Sequence, residues 1–276
     1  IPRKNLRVVK LDIRDHDKIP LEEVDTVVHL ANIANDPGVE LNSKLSWEVN
    51  VLATQRLIEN SVRNKVKQFI FASSGSVYGI KKEKEVTEDL SLVPISTYNK
   101  TKMIAERVLR SYENDIKFHC IRPATVCGFS PRMRLDVSVN MFAFQAIKFK
   151  SMSVFGGEQI RPNIHIKDLI TAIDYLVFHK KKLNHNIYNV GFENLMISEI
   201  ANKIKNKIDA KIIINKNRDI RSYRQDSSRL LKSGFKPKYN VDFAIGELIN
   251  FFQTKSKFNF TNKNFNLLRT QEPNID

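Results

Sequence analysis

Residues 68–79 read Gln68-Phe69-Ile70-Phe71-Ala72-Ser73-Ser74-Gly75-Ser76-Val77-Tyr78-Gly79. The apolar run from Gln68 to Ser73 ends in a short polar turn. That pattern predicts a strand covered on both faces, with its carboxyl end at the serines. Downstream lies Tyr98-Asn99-Lys100-Thr101-Lys102, inside an amphipathic stretch from Thr97 to Glu113. A tyrosine four residues before a lysine shares its helical face, one turn apart. A nearby ammonium favours phenolate, so Lys102 is expected to lower the Tyr98 pKa from about 10 and make it a usable base. Ser74 is expected to donate a hydrogen bond to an oxygen whose charge changes. Ser74, Tyr98 and Lys102 together form the set that oxidation of a secondary alcohol to a ketone requires. Taken singly, Tyr-x-x-x-Lys also describes a solvated helix face, and Ser74 a strand-end serine.

Working outward, further strands are expected at Leu6 to Leu11, ending at Asp12, and at Thr26 to Ala31 and Lys117 to Arg122. Ser43 to Arg63 carries helical spacing of apolar residues, as does Thr97 to Glu113. Apolar strands joined by crossover helices imply an α/β fold with a parallel sheet, whose ligands gather outside the carboxyl ends of the strands. Asp12, His29, Ser74 and Arg122 fall at or near those ends and predict one common site. Beyond Pro123 the expectation is a polar loop from Gly128 to Val139, a helix from about Val139 to Phe149, and a turn at Phe155-Gly156-Gly157. A core helix from Asp168 to Phe178 and a last sheet strand from Asn186 to Val190 follow. The end of the chain adds a helix from Ser198 to Lys207, a strand near Ile212 and a helix from Val241 to Phe252. With no internal repeat and no Gly/Ser linker, the expected division is discontinuous. Residues 1–125 with about 166–191 form one domain, about 126–165 with 192–255 a smaller lobe, and 256–276 a loose tail.

A chain of 276 residues, 42% of them hydrophobic, can bury a sizeable core. The net charge of +15 comes from lysines scattered along the whole length. No aromatic-basic module, zinc-ligand spacing or long basic tail accompanies it, so neither nucleic-acid binding nor a metal site is expected. A positive field still favours a phosphorylated small molecule. No apolar run reaches the roughly 18 residues of a membrane span. Cys120 and Cys127 sit in or beside an apolar stretch and read as buried free thiols of a cytoplasmic protein.

Several stretches, in this order, resemble the extended short-chain dehydrogenase/reductase family, in its nucleotide-sugar epimerase and dehydratase branch. They are Leu11 to Asp15, Val28-His29-Leu30-Ala31, Asn50-Val51, Ser73 to Gly79, Tyr98 to Lys102, Arg122-Pro123 to Gly128, Arg161 to Asp168, Asn189-Val190-Gly191 and Arg221-Ser222-Tyr223-Arg224. The resemblance implies a Rossmann-type, doubly wound domain holding NAD(P), and a small C-terminal lobe closing on a nucleoside-diphosphate sugar. It makes Tyr98 the catalytic base, Lys102 the residue that lowers its pKa and binds the nicotinamide ribose, and Ser74 the holder of the sugar hydroxyl. Asp12 and Ile13 match the pair beside the adenine. Leu30, Ala31 and Ser73 match the dinucleotide path, with Asn50 as polar support and Arg122 on the cofactor side. Asn140, Arg161 and Arg221 match positions that grip the substrate, and Thr125 stands at a substrate position where many epimerases carry asparagine, which leaves the exact sugar open. Homodimerisation through about 43–63 and 97–113 is also implied.

Read as residues alone, several of these positions keep a plainer meaning. Asp12 also suits a strand-end turn, Asn50 an intrahelical polar residue, and Arg161 and Arg221 solvated charges. His29 and His165 read as structural, and Asp168 as a helix-starting residue. The sequence also departs from the family. No G-x-x-G-x-x-G turn precedes Asp12, and the strand-helix-strand unit that carries it needs roughly 30 residues. The chain has no initiator Met, so an N-terminally truncated copy or fragment is expected, lacking that first unit. The residue that reads the adenosine ribose falls there too; NAD is the reading, with NADP open. Ser74-Gly75-Ser76 stands where sugar 4,6-dehydratases typically carry Thr-Asp-Glu, so dehydration is disfavoured. The expected function is C4 epimerisation of a UDP-hexose through a 4-keto intermediate. A keto-sugar reductase or dehydrogenase using the same residues, and a non-catalytic nucleotide-binding protein, are the alternatives.

Overall fold

The structure is a computed structural model and describes residues 5–34, 36–216 and 222–254. The elements follow one another as β1 (Thr26–His29), α1 (Asp36–Leu41), α2 (Ser43–Trp47), a π-helical turn (Glu48–Leu52), α3 (Ala53–Arg63), β2 (Gln68–Ala72) and α4 (Thr97–Arg110). β3 (Lys117–Pro123), β4 (Thr125–Cys127), α5 (Ser138–Phe149), β5 (Ser151–Phe155), β6 (Ile160–His165), α6 (Ile166–Phe178) and β7 (Ile187–Val190) continue the chain. β8 (Glu193–Met196), α7 (Ile197–Lys205), β9 (Lys211–Asn215), α8 (Ser228–Lys232) and α9 (Val241–Thr254) complete it.

The main sheet is parallel throughout, in the order β1-β2-β3-β7. Its register places His29 beside Phe71, Ala72 beside Ile121 and Pro123 beside Val190, so these strands end together along one rim. β2 shows why the sheet is covered twice. Phe69 and Phe71 pack with Leu57, Ile58 and Leu109 of α3 and α4 on one face. Ile70 points the other way, into a core with Ile121, Tyr188, Ala172 and Leu176 that α6 helps to build. Alternation sends successive side chains to opposite faces, and each buried Phe or Ile contributes about 1.5–3 kcal/mol. This is the Rossmann-type α/β arrangement expected from the apolar strands.

A third core draws on Phe142, Met152, Ile200, Ile245 and Leu248, from α5, β5, α7 and α9. Beside it run a sheet of order β4-β6-β8 and the pair β5-β9. The short strands β4, β5, β6 and β8 were not anticipated. Each is brief, and β6 contains Pro162, which lacks the amide proton of a regular ladder.

One expected strand is absent. Residues 6–11 pair with no strand among the described residues, and Leu6, Val8, Val9 and Leu11 are exposed. A strand exists only through a partner's backbone groups, and hydrophobic patterning alone does not supply one. Asp12 consequently stands at no strand end.

Candidate active site

The rim of the main sheet carries the site. α4 begins where the Ser96 hydroxyl accepts the Asn99 backbone N–H at 3.2 Å, and this cap fixes Tyr98 in the first turn. After β2 the chain turns at Ser74, which caps a 3-10 turn over Gly75–Tyr78. Gly79 ends that turn at φ +70, and an added Cβ would lie 2.0 Å from the Val93 carbonyl oxygen, so only glycine fits. Ser73, Ser74, Tyr98 and Thr125 thereby line one cavity of about 330 Å³, together with Asp36 and Arg134. A neighbouring cavity of about 470 Å³ is lined by Arg161, Met141, Phe142, Phe155 and Gln159. Ser76, Thr125, Val137 and Tyr223 line both, so the two form one cleft between the sheet rim and the α5 side.

Burial raises the Tyr98 phenol above its ordinary pKa, against the pull of the Arg134 charge and of hydrogen bonds with Ser74 and Asn32. Arg134, to which the sequence reading gave no part at the phenol, is one charge that favours its ionised form. Lys102 is buried, donates to the Ala72 carbonyl at 2.7 Å and lies 4.7 Å from the Phe71 ring centre. Burial pulls its ammonium down to about 7, with Cys120 and Glu106 acting the other way. Ser74 Oγ is 2.7 Å from Ser76 Oγ, which in turn donates to Asn99 Oδ1 at 2.6 Å.

Other expected residues have different surroundings. Arg122 is buried in an ion pair with Glu106 at 2.6 Å, and also donates to the Tyr78 hydroxyl at 2.8 Å and the Glu88 carbonyl at 3.2 Å. All three guanidinium nitrogens are thus bonded to protein partners, which is the arrangement of a structural residue rather than the expected cofactor contact. Asn140 lines neither cavity. Its amide holds the 128–134 loop through Gly128 N at 3.0 Å and the Arg134 carbonyl at 2.8 Å. Asn50 is likewise a support, accepting from Ile33 N at 2.8 Å and donating to Ile33 O at 3.0 Å, which pins the loop after β1. Leu30 and Ala31, on that loop, are exposed. Ile13 packs against the core beneath β1. Asp12 is exposed, and its hydrogen bonds with Arg14 hold it down at about 2. Arg221 lies outside the described residues, as does the 256–276 tail.

His29 bonds Thr54 at 2.8 Å, and burial pulls it down to about 3. His165 caps α6 through Lys167 N and meets Glu247 at 2.8 Å. Asp168, in the first turn of α6, accepts from the backbone of Lys238 and Tyr239. All three are structural. Cys120 and Cys127 are buried free thiols. Among the described residues no group of three or more metal-ligating side chains occurs, and no helix is long and apolar enough to cross a membrane.

A Rossmann-type sheet with serine, tyrosine and lysine at its rim defines the extended short-chain dehydrogenase/reductase class. The chain belongs to the NAD dependent epimerase/dehydratase family, which matches it over residues 2–191. It is 30% identical over 217 residues to an uncharacterized UDP-glucose epimerase of Bacillus subtilis, a match covering 74% of this chain and 66% of that one. It is 29% identical to a UDP-glucose 4-epimerase of Lactobacillus helveticus, covering 81% and 76%. Among solved structures it is similar to UDP-N-acetylglucosamine 4-epimerase from Methanobrevibacter ruminantium in complex with UDP-N-acetylmuramic acid. That likeness has a TM-score of 0.81 and 26% identity, covering 91% of this chain and 84% of that one. The protein is thus an NAD-dependent, sugar-nucleotide epimerase-like enzyme.

Two observations test whether these residues fit NAD. Ser73 Oγ and Asn32 Oδ1 are buried without a hydrogen-bond partner; Ser73 lines the cavity that Tyr98 faces, and the Asn32 side chain bonds the Tyr98 phenol. Orphaned polar atoms of this kind suit the ribose and carboxamide end of a dinucleotide. Among the described residues no glycine-rich turn offers amides to its pyrophosphate.

Proposed function

We propose that this enzyme epimerises a nucleoside-diphosphate sugar, at C4 of a UDP-hexose, through a 4-keto intermediate. One observation carries the reading: Ser74 and Tyr98 face a cavity continuous with a second one large enough for a nucleotide and carrying Arg161. The planar guanidinium of Arg161 suits a diphosphate. Ser73, Asn32 and Lys102 would hold the nicotinamide end of NAD, which supplies hydride acceptance and return when bound. Tyr98 removes the sugar hydroxyl proton in one direction and gives it back in the other. Thr125 and Ser74 orient that hydroxyl, and the lobe of about 126–165 with 192–255 excludes water around the sugar. Gly75 and Ser76 offer no carboxylate for water elimination, which supports epimerisation over dehydration. The names of the Bacillus and Lactobacillus relatives support the UDP-glucose and C4 assignments.

The test is the purified protein, denatured so that released dinucleotide can be identified and counted. About one NAD per chain supports the epimerase, because a cofactor that is regenerated in each cycle need not leave. Protein that is empty yet binds NADPH reversibly supports the reductase instead. Homodimerisation through 43–63 and 97–113 belongs to the same reading; a single monomeric species in sedimentation removes it.

A further inference from the structure

Glu247 of α9 collects three donors from separate places in the fold. Its Oε1 accepts the Phe129 backbone N–H at 2.6 Å and lies 2.8 Å from His165 Nε2, and its Oε2 accepts from Lys167 Nζ at 3.2 Å. His165 Nδ1 accepts the Lys167 backbone N–H at 3.1 Å, so the ring proton sits on Nε2 and is donated to Glu247. Cys127 pairs with His165 across β4 and β6, which brings the start of the 128–137 loop onto this carboxylate. Gly128 passes at φ +99, where an added Cβ would lie 2.6 Å from His165 Nε2 and 2.7 Å from Glu247 Oε1. One helical turn beyond Glu247, the Phe251 ring centre lies 4.5 Å from that of Phe129. α9 therefore grips residue 129 twice, by its amide and by its ring. Glu247 lines neither cavity of the cleft, and the chemistry above does not use it.

What this grip holds is the loop that supplies Arg134. The Asn140 amide binds Gly128 N at 3.0 Å and the Arg134 carbonyl at 2.8 Å, so both ends of 128–134 are tied to one side chain. Met133 and Leu135, on either side of Arg134, are buried in the core that α9 helps to build. The Asp136 carboxylate takes the guanidinium by two nitrogens, at 2.9 and 2.7 Å. A displacement of residue 129 is thus passed to Arg134 through short, closed links. We propose that Glu247 is a positioning residue: by fixing Phe129 it sets the 128–137 loop so that Arg134 stays in the cavity of Ser74 and Tyr98. This rests on the reading of that cavity as the seat of the sugar. A carboxylate holds an amide more firmly than a neutral acceptor does, and the Glu247 side chain, 18% exposed, is largely shielded from competing water. The bond to Lys167, whose side chain is 45% exposed, adds little.

The experiment uses the purified protein and its variants Glu247→Ala, Glu247→Gln, Lys167→Met, Arg134→Met and the double variant of Glu247→Ala with Arg134→Met. Hydrogen exchange by mass spectrometry, without ligand, reads the loop directly. Glu247→Ala is expected to speed exchange over 129–136 by about tenfold or more, the effect of losing one hydrogen bond to a charged group, while β2 and β3 keep the parent rate. Glu247→Gln keeps an acceptor oxygen for Phe129 N and stays near the parent, as does Lys167→Met. In turnover of a UDP-hexose, Glu247→Ala is expected to raise KM and to lower kcat/KM by about 10- to 100-fold, with Glu247→Gln restoring most of it. The double variant falls no further than Arg134→Met alone, because both changes act on one group. A partly unfolded preparation lowers kcat at an unchanged KM, which separates positioning from loss of fold. Should Glu247→Ala not fold, Glu247→Asp, whose carboxylate is one methylene short of the Phe129 amide, carries the test. Unchanged exchange over 129–136, or a loss that adds in full to that of Arg134→Met, overturns the proposal. Exchange needs no turnover, so a parent protein that converts no UDP-hexose defeats the epimerase reading and leaves the exchange result to decide this one.

Discussion

Removing the Glu106 carboxylate tests the reassignment of Arg122 from cofactor contact to structural residue. Both side chains of this pair are almost inaccessible, at 3% for Arg122 and 4% for Glu106. Arg122 Nε and Nη2 bond Glu106, while Nη1 bonds the Tyr78 hydroxyl and the Glu88 carbonyl. In Glu106→Ala the guanidinium stays buried with two of its three nitrogens unserved. Breaking a buried pair in this way costs about 3–5 kcal/mol, a large share of the roughly 5–15 kcal/mol that holds a typical protein folded. In urea, with a slope of about 2–3 kcal/mol per molar, the midpoint falls by about 1–2.5 M. Replacing both partners by apolar residues, Glu106→Leu with Arg122→Met, removes the stranded charge and costs less than Glu106→Ala alone. Dinucleotide affinity, measured where each variant remains folded, is expected to match the parent. A cost for Glu106→Ala below about 1 kcal/mol, or an Arg122 variant that is stable but has lost dinucleotide, refutes the reasoning.

Three further outcomes follow from buried groups and backbone geometry. His29 is pulled down to about 3 from 6.5, so the unfolded chain takes up a proton that the fold refuses. Its share of stability is complete above about 6.5 and is lost as pH falls towards about 3; His29→Gln flattens that part of the acid limb in urea midpoints measured against pH. Lys102, pulled down to about 7 from 10.5, has the same sign: its burial costs nothing above 10.5 and most below 7. Lys102→Met is therefore expected to raise the melting temperature at pH 7 and below, with no gain near pH 11, while abolishing turnover. Gly79→Ala sets a Cβ against the Val93 carbonyl at φ +70 and is expected to lose at least about 1–2 kcal/mol by thermal melt.

The central strands were legible because β2 and β3 are apolar at successive positions, as burial on both faces demands. Tyr98 and Lys102 were legible because their spacing is local to one helix. What sequence reading missed depends on long-range placement. Arg122 reads as a site residue until α4 is folded against β3, which sets Glu106 on its guanidinium. Asn140 reads as a substrate residue until its amide is found holding the 128–134 loop. Leu6 to Leu11 has strand character without a strand beside it. Asn99 and Ser76 stood inside the quoted motifs, but only the fold brings them into contact, at 2.6 Å between α4 and the turn after β2. Arg134 gave no sequence signal beyond its charge, because its approach to Tyr98 depends on how the loop before α5 closes.

The most direct test of the account is interconversion of UDP-galactose and UDP-glucose by the purified protein, with no dinucleotide added and products separated by chromatography. The account predicts conversion in both directions to one equilibrium mixture, no accumulation of reduced dinucleotide, and no conversion by Tyr98→Phe. Turnover that instead consumes reduced dinucleotide in step with product would contradict it, as would NAD-loaded protein that converts neither sugar nor any other UDP-hexose at C4.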